Sequence, residues 1–190
     1  MNLSLILQDK INEHQNVIKS SLVNFKKIIK PVHKLLLRTI KNKKNIFVCG
    51  NGGSASDALH FSGEFVSKFK SDKRKPINCI CLNANISAIT SIGNDFDYTK
   101  IFSRQLLAHG SKGDVIFLFS TSGKSQNIID VAKVSKKMRI KSILFTGLNI
   151  TPLHKYCDYI FQVRSKKTDL IQEAHIFYYH SICDLFENVK

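Results

Sequence analysis

The apolar positions change period along the chain. From the start, Leu3, Ile6, Leu7, Ile11, Val17, Ile18, Leu22, Phe25 and Ile29 recur at helical spacing, and Pro31 is expected to interrupt this amphipathic arm. Five short runs rich in β-branched and aromatic residues follow: NIFVCG, INCICL, DVIFLFS, KSILFTG and YIFQVRS, each leading into a turn and most into a helix-like stretch. Continuous apolar strands alternating with helices predict a parallel sheet covered on both faces. The segment Thr168 to Asn188 reads as a terminal helix. No repeat, linker or composition shift divides the 190 residues, so the pattern predicts one α/β domain over 1–190 with a helical arm over 1–43 and a five-stranded parallel sheet flanked by helices.

In open α/β sheets ligands bind beyond the carboxyl ends of the strands, which directs attention to two turns. Asn51-Gly52-Gly53-Ser54 follows the first strand, and Ser120-Thr121-Ser122-Gly123-Lys124-Ser125 follows the third. Glycine lets backbone N–H groups turn toward an anion, a following helix presents its positive end, and hydroxyls add donors, so these turns suit a phosphomonoester. STSG alone would equally serve as an ordinary helix cap. GxxxxGK[ST] and GxGxxG are both absent, which disfavours nucleotide chemistry.

His60 and Glu64 stand four apart on the helix expected after the first turn, hence on one face. Such a pair ligates zinc, supplies an acid and a base, or makes a plain surface contact; spacing alone leaves the three open. In the terminal helix, Asp169, Gln172, Glu173, His175 and His180 are embedded among apolar residues and need partners. Gln172 and His180 are eight apart, about 12 Å along an ideal helix and about 80° around it. Two copies of the chain would bring them to one ion more easily than one helix would.

The formal net charge of +15 invites a polyanion partner, but no nucleic-acid-binding motif accompanies it, and specific nucleic-acid binding is not expected. The densest run, Lys68 to Lys75, reads as a solvated basic face that steers an anionic small molecule. Five cysteines without a CxxC pair read as reduced, buried thiols. Neither a membrane span nor a signal peptide fits, so a cytoplasmic protein is expected.

Taken together, CGNGGSASDALHF, IGNDF, STSGKS and IQEAHIFYYH resemble the sugar isomerase (SIS) domain family, and within it the phosphoheptose isomerases, from about Asn45 to the C-terminus. That resemblance implies conversion of sedoheptulose 7-phosphate to D-glycero-D-manno-heptose 7-phosphate through an enediol, for ADP- or GDP-heptose synthesis. It implies sugar-phosphate contacts from Asn51, Gly52, Gly53, Glu64, Asn94, Asp95, Ser120, Thr121, Ser122, Ser125 and Gln172. It also implies one zinc ion per subunit on His60, Glu64, Gln172 and His180, in a homotetramer with active sites between subunits. Within that frame Glu64 is the expected base at carbon and His180 the acid and base at oxygen. Two positions depart from the family pattern: Lys124 replaces a usual asparagine, and Leu170 a frequent arginine. A related scaffold protein that binds the replication initiator shares the phosphate loops but typically lacks the glutamate and the terminal histidine, both present here. Isomerases of other sugar phosphates usually carry an added domain, for which the pattern offers no segment.

Overall fold

The computed structural model describes residues 3–187. Five parallel strands, β1 (Ile46–Gly50), β2 (Cys79–Cys81), β3 (Val115–Ser120), β4 (Lys141–Thr146) and β5 (Tyr159–Gln162), form one sheet in the order β2-β1-β3-β4-β5. Every residue of β1 and β3 is buried, as continuous apolar runs require when both faces are covered. Alternation along β3 divides the core: Val115, Phe117 and Phe119 pack on one face, and Ile116 and Leu118 on the other. The five strands and the sheet type are as the sequence predicts.

Helices α1 (Leu3–Lys41), α2 (Gly53–Val66) and α6 (Thr168–Asp184) cover the first face. The second is covered by α4 (Ile101–His109) and α5 (Gln126–Lys137). Helix α3 (Ile86–Asp95) buries none of its residues and rides at the rim. The expected terminal helix ends at Asp184 rather than Asn188, and residues 188–190, like residues 1 and 2, lie outside the described part. Among the described residues no helix is long and apolar enough to cross a membrane.

Pro31 does not interrupt the arm, contrary to the sequence reading: α1 is one helix with Pro31 inside it. Proline removes one intrahelical donor, but Val32, Leu36 and Thr39 just beyond it are buried against the domain, and this tertiary packing offsets the local cost. The same helix closes the open edge of the sheet. Asn24 Oδ1 accepts the N–H of Gln162 at 2.7 Å, and Ser21 Oγ accepts that of Arg164 at 2.9 Å. Its first turns leave Leu3, Leu5, Leu7 and Ile11 exposed.

The basic run also differs from its reading as a solvated face, because Arg74 is buried. Its guanidinium donates to the carbonyls of Glu64, Phe65 and Ser67, the open C-terminal end of α2. Glu187 pairs with it at 3.1 Å and also accepts the N–H groups of Lys70 and Ser71. Breaking a buried pair strands the remaining charge, so Arg74→Ala is expected to lower unfolding free energy by about 3 kcal/mol. An unchanged urea midpoint would refute this role.

Candidate active site

The strand order reverses between β1 and β3, and the two turns chosen from sequence meet at that crevice. The first is held rigidly. Asn83 receives the Gly50 N–H at 3.1 Å and donates to the Gly50 carbonyl at 2.9 Å. A Cβ at Gly50 would lie 2.2 Å from the Ser54 carbonyl oxygen, so only glycine lets α2 begin this close to the strand end. Asn51 exchanges two amide hydrogen bonds with Asn127, at 2.8 and 2.9 Å, and also receives the Tyr98 hydroxyl.

At the second turn Ser120 Oγ accepts the N–H of Gly123, Ser122 Oγ accepts that of Lys124, and the Thr151 hydroxyl donates to the Gly123 carbonyl. Thr121 and Ser122, with Asn149, Ser165, Lys166 and Thr168, line a cavity of about 110 Å³. Helices α2 and α5 both start at this crevice with N-cap residues, Gly52 and Ser125, that make no side-chain cap bond. Two helix N-termini without side-chain caps, facing one crevice and surrounded by hydroxyls, suit a phosphate.

Deeper along α2 lies the metal-type cluster. His60 Nε2 is 2.9 Å from Glu64 Oε1, and ligand atoms of His60, Glu64 and His180 all lie within 4.8 Å of one another. His180 Nε2 is buried without a partner, and burial, followed by the neighbouring His60, holds its imidazole below the usual value. A neutral imidazole with an orphaned nitrogen beside a second histidine and a carboxylate is a donor set that fits zinc. Three ligands leave a position open.

Gln172 does not join this trio within one chain. Its amide lies against Gly53, where an added Cβ would sit 2.3 Å from Nε2, two turns of α2 before His60. Asn94 and Asp95 end the exposed helix α3, and among the described residues their side chains bond each other rather than the proposed sugar-phosphate residues. Spacing gave no hint of Asn83 and Asn127, nor of two residues behind the trio. Asp57, one turn before His60, has Oδ2 buried and unpartnered, and burial raises its carboxyl to about 7. The Tyr179 hydroxyl lies 2.9 Å from His60 Nδ1. Asp57 sits inside the quoted motif and Tyr179 beside His180, so adjacency to the candidate ligands was the one available signal.

The family model described as SIS domain matches residues 11–147. Phosphoheptose isomerase from Clostridium acetobutylicum is 42% identical over 179 residues, covering 90% of this chain and 91% of that protein. The enzyme of that name from Aliarcobacter butzleri is 38% identical over 175 residues, 92% of each chain. Among solved structures, phosphoheptose isomerase from Neisseria gonorrhoeae superposes with a TM-score of 0.91 at 30% identity, over 99% of this chain and 100% of that one. With the model matching most of the chain and curated relatives aligning nearly end to end, this protein belongs to the SIS domain family, in the branch formed by the phosphoheptose isomerases.

Proposed function

We propose that this chain is an aldose-ketose isomerase that converts sedoheptulose 7-phosphate to D-glycero-D-manno-heptose 7-phosphate, a precursor of ADP- or GDP-heptose, in the cytoplasm. The observation that carries the reading is the His60, Glu64, His180 trio beside a phosphate-type crevice. A scaffold of the same fold needs the crevice at most and has no use for the trio. The relatives' shared name supplies the substrate class.

The phosphate would sit at the N-termini of α2 and α5, on the hydroxyls of Ser120, Thr121, Ser122 and Ser125. Anchoring one end of a flexible open-chain sugar fixes the register of the reacting carbons and lowers the entropic part of the barrier. Asn51, held by Asn127, and the backbone of Gly52 and Gly53 would bind sugar hydroxyls, with Asn94, Asp95 and Gln172 as further contacts. His60, Glu64 and His180 would hold one zinc ion per subunit, with Gln172 of a second copy as fourth ligand in a homotetramer. The exposed apolar turns at the start of α1 suit such an assembly. Bound there, zinc supplies Lewis-acid stabilisation for charge on the enediol oxygens. Glu64 takes the proton from C1 through its carboxylate oxygen not turned to His60 and returns it at C2. His180 would serve as acid and base at oxygen through the ring nitrogen not given to zinc, donating its N–H proton to O2 and regaining one from O1.

The test is incubation of purified protein with sedoheptulose 7-phosphate, with and without zinc chelation, and detection of the aldose. Conversion lost on chelation and restored by zinc is expected. Glu64→Gln should abolish turnover while sugar-phosphate binding survives; retained turnover would remove Glu64 from the mechanism. Gly53→Ala is expected to leave the unfolding midpoint near that of wild type, because a flexible amide swings aside cheaply, yet to raise KM roughly tenfold by displacing Gln172. An unaltered KM would mean Gln172 does not contact substrate.

Asp57 adds a pH dependence with a defined sign. Its carboxyl titrates at about 7 when folded against 3.8 in the free residue, so the folded state retains a proton that the unfolded chain releases. Its contribution is complete below about pH 4 and is lost as pH rises through 7. His175, buried and lowered to about 3, acts oppositely over its own window, so the two are separated by difference. Relative to wild type, Asp57→Asn should gain unfolding free energy from pH 5 to pH 8, as measured by denaturant titration at both values.

A further inference from the structure

We propose that Tyr179 is a positioning residue for the metal centre, its hydroxyl fixing which nitrogen His60 presents to the ion. This rests on the reading of the trio as a metal site. The Tyr179 ring is fully buried, and its oxygen lies 2.9 Å from His60 Nδ1 while His60 Nε2 faces Glu64. The ring is wedged edge-on against four others: His60 at 5.7 Å, His180 at 4.8 Å, Phe61 at 5.6 Å and Phe119 at 5.8 Å between centroids. Such packing leaves the hydroxyl little freedom to leave Nδ1.

A neutral imidazole carries one proton on two nitrogens, and a metal takes the bare one. Without an ion, the 2.9 Å contact to Glu64 places that proton on Nε2, where it donates to the carboxylate, and Nδ1 accepts the phenolic O–H. With an ion on Nε2, the proton resides on Nδ1 and donates to the phenolic oxygen. A phenol donates or accepts and pairs with either tautomer, whereas phenylalanine pairs with neither. Metal-bound histidines are generally held in this way through the second nitrogen.

A hydroxyl that merely satisfies itself in the core is separated from this role by a matched control. Tyr178, next in the same helix and equally buried, donates to the Ile18 carbonyl at 2.6 Å, away from the trio. Metal-free wild type, Tyr179→Phe and Tyr178→Phe are titrated with zinc against a chromophoric chelator, and with cobalt(II) for its visible absorption. Tyr179→Phe should bind zinc roughly 10- to 100-fold more weakly and show a shifted cobalt band, with circular dichroism unchanged. Tyr178→Phe should match wild type in both. Equal zinc affinity and an identical cobalt spectrum in wild type and Tyr179→Phe would overturn the inference. Absence of metal binding by wild type itself would overturn the metal reading beneath it, a distinguishable result.

Discussion

The seam between α2 and α6 is the contact on which the site depends. The two helices run side by side in the same direction across one face of the sheet: Gly53 meets Gln172 at one level, and His60 meets Tyr179 and His180 two turns later. Helix α2 brings His60 and Glu64 and α6 brings His180, so the candidate trio exists only where the two helices meet. Tyr179, Phe61 and Phe119 form the apolar packing beneath this seam, so burial of aromatic area and placement of the candidate trio are one event. The phosphate-type crevice, by contrast, is set by strand order, which brings the starts of α2 and α5 together whatever α6 does.

This division explains what could be read from the sequence. Strand periodicity is local, and β1 and β3 announce themselves as unbroken apolar runs because both faces are covered. The turns after them are equally local. The trio was legible only in pieces, because His60 and His180 are 120 positions apart and spacing says nothing about their meeting; the family resemblance, not the periodicity, joined them. The reading failed where a local rule met a tertiary one. Pro31 looks like a helix stop, but the burial of Val32 and Leu36 carries the helix through. Arg74 sits in a lysine-rich stretch that looks solvated, yet its acceptors are backbone carbonyls, which no sequence pattern labels. Asn83 and Asn127 escaped for a related reason: their partners are a glycine backbone and another asparagine on distant elements.

Charge is likewise distributed by function more than its total suggests. Arg74 is spent inside the fold as a helix cap, while Lys166, Thr121 and Ser122 line the cavity beside the turn after β3. Much of the remaining basic surface belongs to exposed lysines, so a net charge of +15 describes the protein's long-range field and not a particular binding face.

The Arg74 cap has a consequence for the order of assembly. The main-chain oxygen of Glu64 is bonded to Arg74, and Arg74 is neutralised by Glu187, 113 positions later in the chain. The cap on the last turn of α2 is therefore complete, with its charge neutralised, only once the segment after α6 has docked. Contacts of such long separation form late, because their loop-closure cost is met only when much of the chain is already in place. Glu64 at the end of α2 and the segment that follows His180 are thus tied together by one contact of long sequence separation, and the candidate trio forms where that contact closes.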